Sequence, residues 1–307
     1  MLSKRAYSTY LETEEFLMKS FKECLVNPFC KFENKNGIVN MGTAVNQLCE
    51  DILTERINQE NMFNHTGEYQ HYFGLTGTPD FLQALADFYT RKLGQGERVD
   101  CENMRVVNGV TSALEAIAWT ICDPEDIILV PTPTYARFFA DMKERMRAKV
   151  VGVNLSAADG FCLRPQLLED EILKRQMKGE RVRGIIFCNP QNPLGQVYSR
   201  ELVHEIMRVC SKHGVHIISD EIYAMSVFDG TQFNSVLSFT KEEIPNPDLV
   251  HHLWGFSKDF GIAGFRVGAI HSLNQDLIRT IDAMGIFTSV SAHIQQVCVK
   301  LLRDEDW

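Results

Sequence analysis

The chain has 307 residues, 45% of them hydrophobic, which is enough for one large domain or two ordinary ones with a sizeable core. Its net charge of −9 argues against a nucleic-acid-binding protein, because such proteins are normally basic. No apolar run is long enough to span a bilayer, and none of the nine cysteines forms a Cys-x-x-Cys pair. We therefore expect free thiols, a cytoplasmic location, and neither a membrane nor a nucleic-acid partner.

The N-terminal residues 1–40 have the pattern of an arm. Helical periodicity runs from Thr9 to Leu25, and the breaks at Asn27-Pro28 and in the stretch 34–37 end it. We expect this arm to pack against another domain or a partner subunit, and residues 41–307 to form the main domain.

From about residue 100, short β-branched runs alternate with longer amphipathic stretches. Strands that read as unbroken apolar runs separated by helices indicate an α/β fold with a mainly parallel sheet covered on both faces. The helix-like stretches include Ser112–Ile121, Pro165–Met177 and Arg200–His213, and we expect further helices in Gln275–Trp307. The predicted strands are Arg105–Val107, Ile127–Val130, Val150–Val153, Gly184–Phe187, Val215–Ser219, Leu249–Trp254 and Val267–Ile270.

Polar and ionisable residues follow several of these strands directly. In an open α/β sheet, ligands bind beyond the carboxyl ends of the strands, so these segments predict a site at one edge of the sheet. They are Asn108–Ser112, Pro131–Tyr135, Asn189–Gly195, Asp220–Tyr223 and Gly255–Lys258.

The side chains at this edge match what pyridoxal phosphate (PLP) requires around its ring. The cofactor needs a lysine for an imine, a carboxylate facing the pyridine nitrogen, and an aromatic group on the ring. Lys258 precedes a glycine-rich turn, Asp220 ends an apolar strand where it would need a cationic partner, and Tyr135 follows the second strand.

The phosphate of such a cofactor needs a helix N-terminus, hydroxyl groups and a cation. Val110 and Thr111 lie at a predicted helix start, and Arg266 follows Lys258 by eight positions. Each of these features occurs often in proteins without a cofactor; their joint occurrence at the correct strand ends carries the prediction.

Three motifs in this order resemble fold-type I PLP enzymes of the class I/II aminotransferase superfamily, and especially the animal proteins similar to 1-aminocyclopropane-1-carboxylate (ACC) synthase. The resemblance runs from about Gly37 to the end of the chain. The motifs are Asn189–Gly195 (Asn-Pro-Gln-Asn-Pro-Leu-Gly), Ser219–Tyr223 (Ser-Asp-Glu-Ile-Tyr) and Ser257–Gly268 (Ser-Lys-Asp-Phe-Gly-Ile-Ala-Gly-Phe-Arg-Val-Gly).

The resemblance implies a catalytic role for three residues. Lys258 would hold PLP as a Schiff base and move the α-proton of the substrate. Asp220 would face the pyridine nitrogen, and Tyr223 would donate, together with Asn192, to the phenolic oxygen of the cofactor.

The resemblance also implies the rest of the cofactor site. Tyr135 would stack on the ring, and Tyr72 would reach the cofactor of a second subunit in a homodimer with shared active sites. The phosphate cradle would consist of Val110, Thr111, Ser257 and Arg266. The implied fold is the large domain of this superfamily, with a seven-stranded, mostly parallel sheet between helices.

Two residues within the chain depart from the family pattern. Gly255 stands where the family has the first serine of a Ser-x-Ser-Lys pattern, which removes one phosphate hydroxyl. Val45 stands where plant ACC synthases have a glutamate before Asn-Gln-Leu, which favours transamination or β/γ-elimination over ACC formation.

A third departure concerns the C-terminal small domain of the family, which we expect to be missing here, so that either the sequence is a fragment or splice form or the protein is a poor catalyst. In the family this domain carries the arginine that grips the substrate carboxylate, and losing such positioning costs orders of magnitude in rate. The arginines after Lys258 are Arg266, Arg279 and Arg303, and none matches that motif.

The sequence leaves two classes of function open. One is an enzyme acting at the α-carbon of an L-amino acid; the other is a weak or inactive PLP-binding homologue that serves as a scaffold or dimer partner. We expect no metal centre, because His251 and His252 are adjacent on a strand and point to opposite faces.

Overall fold

The computed structural model of the chain describes residues 2–4, 6–7, 9, 16–72 and 74–305. All seven predicted strands are present, and their ends differ from the predicted ones by no more than two residues. They are β1 (Met104–Val107), β2 (Ile127–Thr132), β3 (Lys149–Asn154), β4 (Val182–Cys188), β5 (His216–Asp220), β6 (Val250–Gly255) and β7 (Gly268–Ser272).

The strands form one sheet in the order β1-β7-β6-β5-β4-β2-β3. The neighbours from β3 to β6 pair in parallel, whereas β7 runs antiparallel to both β6 and β1. The expectation of a seven-stranded, mostly parallel sheet is therefore confirmed. Because β4, β5 and β6 are parallel neighbours, the segments that follow them meet at one edge of the sheet.

Helices cover the sheet on both sides. The three helices that the sequence predicts between strands are present, one with an earlier start, and two helices lie in the predicted C-terminal range. The α-helices are α1 (Phe16–Val26), α2 (Glu50–Ile57), α3 (Pro79–Lys92), α4 (Val110–Ile121), α5 (Arg137–Lys143), α6 (Pro165–Met177), α7 (Arg200–His213), α8 (Gln275–Thr288) and α9 (Ala292–Arg303).

The alternation of side chains along β2 explains the two-sided core. Ile128 and Val130 point to one face and pack with α4 and α8, whereas Ile127 and Leu129 point to the other face and pack with α6 and α7. A strand buried on both faces must be apolar at every position, which is why these strands read as continuous apolar runs in the sequence.

Only part of the predicted N-terminal helix can be compared with the structure. The helical range Thr9 to Leu25 overlaps α1, but residues 10–15 lie outside the described residues, as do residues 306 and 307 of the predicted C-terminal helices. Among the described residues, no helix combines the length and hydrophobicity needed to cross a membrane.

Candidate active site

Asp220 and Lys258 lie at the carboxyl edge of the sheet, at the ends of the neighbouring strands β5 and β6. Asp220 is the last residue of β5 and is only 4% exposed, with Oδ1 accepting a hydrogen bond from the Ile222 amide at 3.2 Å. Burial raises the pKa of Asp220 to about 7, and the nearby ammonium group of Lys258 opposes this shift. Burial and Arg266 lower the pKa of Lys258, while Asp220 raises it. The two groups are therefore close enough to interact electrostatically.

The segment that contains Val45 also contacts Lys258. Its Nζ atom donates a hydrogen bond to the carbonyl oxygen of Ala44 at 2.8 Å. This contact places the backbone beside Val45 at the lysine, although Ala44 and Lys258 are 214 positions apart in the sequence. A backbone contact of this kind leaves no signal in the types of residue, which is why the sequence did not predict it.

Arg266 lies against the turn that opens α4. A Cβ atom on Gly109, whose φ is +84°, would lie 2.5 Å from Nη2 of Arg266. A Cβ atom on Gly268 would lie 2.7 Å from the amide nitrogen of Val110. Both glycines therefore permit a close approach of backbone and guanidinium at the start of a helix, where free amides and a cation favour an anion.

The other predicted cradle residues differ in their exposure. Thr111 is exposed in the first turn of α4, and Ser257 is half-buried directly after the Phe256 position that follows β6. The structure thus brings Val110, Thr111 and Arg266 to one place, with Ser257 on the same turn as Lys258.

The structure gives a physical reason for glycine at position 255. A Cβ atom there would lie 2.6 Å from the carbonyl oxygen of Val267 and 3.1 Å from Cα of Gly268. Real Cβ atoms do not approach backbone so closely, so a serine at this position would require the two strands to move apart. Gly255 is therefore part of the close packing of β6 against β7 as well as a lost hydroxyl.

Three further predicted residues lie at this edge of the sheet: Tyr223 lies near Asp220, and Asn192 and Tyr135 lie near Tyr223. Nδ2 of Asn192 donates to the hydroxyl of Tyr223 at 3.4 Å. Burial raises the pKa of Tyr223 to about 12, with smaller contributions from Cys188, Asp220 and Tyr135. Tyr135 keeps 39% of its surface exposed.

Tyr72 does not join this cluster within a single chain. Its side chain is 95% exposed, in contrast to the buried or half-buried residues around Lys258. A large aromatic side chain so exposed gains little from the fold of its own chain.

The two arginines farthest beyond Lys258 have partners elsewhere. Arg303 pairs with Asp80, and Arg279 lies 3.4 Å from Asp276 on the surface of α8. Each of these two arginines thus has a carboxylate beside it.

The two adjacent histidines of β6 have separate surroundings, as expected from their alternation. Nε2 of His251 lies 2.9 Å from Nδ1 of His216, and Nδ1 of His251 lies 2.8 Å from the hydroxyl oxygen of Ser272. Nε2 of His252 lies 3.3 Å from a carboxylate oxygen of Glu221 on the other side of the strand. Within the described part of the chain, no group of three or more potential ligands has the arrangement of a metal site.

Comparison with known proteins identifies the class to which this fold and this set of residues belong. The family model for class I and II aminotransferases matches residues 38–307. The chain therefore belongs to the class I and II aminotransferase family, whose members depend on PLP.

Within this family, the chain is similar to ACC synthases and to proteins that resemble them. The chain is 34% identical to the "probable inactive 1-aminocyclopropane-1-carboxylate synthase-like protein 2" of Mus musculus, over 100% of this chain and 53% of that protein. It is 32% identical to 1-aminocyclopropane-1-carboxylate synthase 7 of Arabidopsis thaliana, over 92% of this chain and 65% of that enzyme. The chain thus spans about half to two thirds of the length of these relatives.

Solved structures support the same fold. Aspartate aminotransferase from Thermus thermophilus with maleate superposes with a TM-score of 0.76 and 19% identity, over 100% of this chain and 74% of that one. The expected α/β fold of the PLP-dependent transferases is therefore confirmed.

Proposed function

We propose that this chain binds PLP at the carboxyl edge of its sheet and acts at the α-carbon of an L-amino acid, by transamination or by β/γ-elimination. The observation that carries the proposal is the placement of a buried carboxylate, Asp220, at the end of β5, beside the strand β6, which leads into the turn that carries the half-buried amine of Lys258. A buried carboxylate with one amide donor is costly unless a cation partners it, and a protonated pyridine nitrogen is such a partner.

The residues at the edge of the sheet fit the cofactor. Gly109 and Gly268 leave no room for a Cβ atom, because the Arg266 guanidinium lies against Gly109 and the Gly109–Val110 backbone lies against Gly268. In this proposal the phosphate lies among Val110, Thr111, Ser257 and Arg266, where a helix N-terminus and a guanidinium both favour negative charge.

PLP, when bound, supplies an electron sink for negative charge that develops at the α-carbon. The Lys258 amine would hold the cofactor, and its Nζ atom would accept the proton from the α-carbon of the substrate. Its lowered pKa favours this role, because a base must be unprotonated to accept a proton. Asp220 would favour a proton on the ring nitrogen, Tyr223 and Asn192 would donate to the phenolic oxygen, and Tyr135 would pack against the ring.

The departure from the family pattern at Val45 favours some reactions of the substrate over others. Val45 adjoins the Ala44 carbonyl that contacts Lys258, so this position lies beside the site. An aliphatic side chain there cannot contribute the charge that a glutamate would. We therefore propose transamination or β/γ-elimination over ACC formation.

A second function is a catalytically weak or inactive PLP-binding homologue that serves as a scaffold or dimer partner. One observation favours it: the mouse and human relatives carry the name "probable inactive".

We propose a homodimer in which Tyr72 of each subunit reaches the other subunit's site, because this side chain is exposed in the single chain. In this proposal residues 1–40 form an arm and residues 41–307 the PLP-binding large domain. We also propose a cytoplasmic location, which nine free cysteines support. Sedimentation with and without PLP tests the dimer.

The function is tested by adding PLP to the purified chain and recording its visible spectrum against a panel of amino acids. An enzyme gives a band of covalently bound PLP that at least one amino acid shifts or bleaches. The scaffold gives a band that no amino acid perturbs. A chain that gives no such band with saturating PLP contradicts both functions.

A further inference from the structure

The residue after the proposed cofactor lysine ties together two turns of the site. One carboxylate oxygen of Asp259, Oδ2, accepts from Nε1 of Trp254 at 2.8 Å and from the amide of Met225 at 3.0 Å. The other oxygen, Oδ1, accepts from the hydroxyl of Ser226 at 2.7 Å. The carboxylate is mostly buried, and burial raises the pKa of Asp259 while these three donors oppose the shift.

The three donors come from segments on either side of the site. Trp254 is fully buried in β6, and it packs against Phe256 and Phe260 at centroid distances of 5.1 and 5.9 Å. Met225 and Ser226 belong to the turn that begins at Tyr223, whose Ser226 amide donates to the Tyr223 carbonyl at 2.9 Å. Asp259 thus connects the turn that carries Lys258 to a rigid strand and to the turn that carries Tyr223.

We propose that Asp259 is a positioning residue that fixes where the Lys258 amine lies relative to Tyr223 and Asp220. The proposal rests on the proposed function, because it concerns how the cofactor lysine is held. One peptide unit joins Lys258 to Asp259. Fixing the Asp259 carboxylate therefore also restricts the direction in which the Lys258 side chain leaves the backbone. Reaction geometry at such a site is sensitive to displacements of about 1 Å.

Two substitutions of Asp259 distinguish the effect of its hydrogen bonds from the effect of its charge. An asparagine at position 259 satisfies the same three contacts: its carbonyl oxygen accepts from Trp254 and Met225, and its amide donates to the Ser226 hydroxyl, which also accepts. An alanine loses all three contacts and leaves the donors of Trp254 and Met225 buried without an acceptor. Anchoring therefore predicts that Asp259→Asn behaves like the wild type.

The experiment measures how much PLP becomes fixed to Lys258. The wild type, Asp259→Asn, Asp259→Ala and Ser226→Ala are saturated with PLP, exposed briefly to borohydride, digested and analysed by mass spectrometry. The label on the Lys258 peptide is divided by the folded fraction from circular dichroism, because a purely structural role lowers the folded fraction but not the label per folded chain. Ser226→Ala removes only one contact from a partly exposed serine, so it tests the inference even where Asp259→Ala folds poorly.

We expect the label per folded chain to fall about tenfold in Asp259→Ala, about two- to threefold in Ser226→Ala, and by less than twofold in Asp259→Asn. Equal labelling of the wild type, Ser226→Ala and Asp259→Ala overturns the inference and leaves the proposed function intact. A loss in Asp259→Asn as large as that in Asp259→Ala also overturns it, because charge rather than anchoring is then responsible. A wild type without label on Lys258 overturns the proposed function, and the inference with it.

Discussion

The two ends of strands β5 and β6 both bury ionisable groups, but they satisfy them differently. At the amino ends, His216, His251 and Ser272 form a chain of contacts of 2.9 and 2.8 Å, and each group finds its partner inside the protein. At the carboxyl ends, Asp220 has a hydrogen bond from one amide, and its pKa is raised to about 7. The amino ends therefore have the character of structural contacts, whereas we propose that a cationic ligand completes the carboxyl ends.

The largest expected effect is at the lysine. Lys258→Ala removes the amine that would hold PLP, so we expect no covalent attachment at all, measured as the absorbance band of bound PLP that survives dialysis. Lys241→Ala is the matched control, because Lys241 is an exposed lysine away from the site. Persistence of the band in Lys258→Ala would falsify the assignment of this residue.

The next effect concerns the carboxylate. Asp220→Asn keeps an acceptor for the Ile222 amide but cannot hold a proton on the ring nitrogen. We expect exchange of the substrate α-proton with solvent deuterium to slow by about a hundredfold, measured by NMR with the amino acid that most perturbs the spectrum. An unchanged exchange rate contradicts the role given to Asp220.

The same substitution should have the opposite effect on stability. A buried carboxyl group with a raised pKa binds a proton more tightly in the folded state, so its contribution is present at low pH and is lost as pH rises through about 7. At pH 8 without PLP, Asp220→Asn should therefore be roughly 2–4 kcal/mol more stable than the wild type, measured by urea unfolding. A less stable variant would show that Asp220 is satisfied within the chain itself.

The strands and the location of the candidate site could both be predicted from the sequence. The strands were predictable because β5 and its neighbours are buried on both faces and therefore apolar throughout. The convergence of Asp220, Lys258 and Asn192 followed from the position of each residue after a strand of one parallel sheet.

Other features of the site were not predictable, because they depend on tertiary distances between groups without a sequence signature. The contact of Lys258 with the Ala44 carbonyl uses backbone, and the three contacts of Asp259 join segments up to 34 positions apart. Gly255 reads as a lost hydroxyl in the sequence, and only the approach of Val267 explains it.

A smaller effect is expected in the phosphate cradle. Gly268→Ala places a methyl group 2.6 Å from the carbonyl carbon of Gly109 and 2.7 Å from the Val110 amide. Overpacking of this kind costs about 1–3 kcal/mol, so we expect PLP affinity to fall by about tenfold, measured by fluorescence titration. Gly264→Ala is the control, because nothing lies within 4 Å of its new Cβ atom. Equal affinities of the two variants contradict the location of the cradle.

The smallest expected effect is a change in how stability depends on pH, caused by the buried histidines near the amino ends of β5 and β6. Burial lowers the pKa of His216 to about 4 and of His271 to about 3, and it also lowers the pKa of His251. The unfolded chain takes up these protons first, so stability falls as pH drops below the usual value of 6.5 and continues to fall towards the folded pKa.

Each such histidine contributes a slope of about 1.4 kcal/mol per pH unit in this range. His216→Asn keeps a polar group near Nδ1 but removes one titrating ring, so the slope between pH 6 and pH 4.5 should decrease by about that amount in urea unfolding. An unchanged slope would mean that folding does not lower the pKa of His216.

The most direct test of the central claim is the identity of the residue that holds the cofactor. The wild-type chain is incubated with PLP, reduced with borohydride and digested, and the modified peptide is sequenced by mass spectrometry. We predict one modification, on Lys258, in the peptide that also contains Asp259. Modification of a different lysine, or an even spread over surface lysines such as Lys241, would contradict a site built around Lys258 and Asp220.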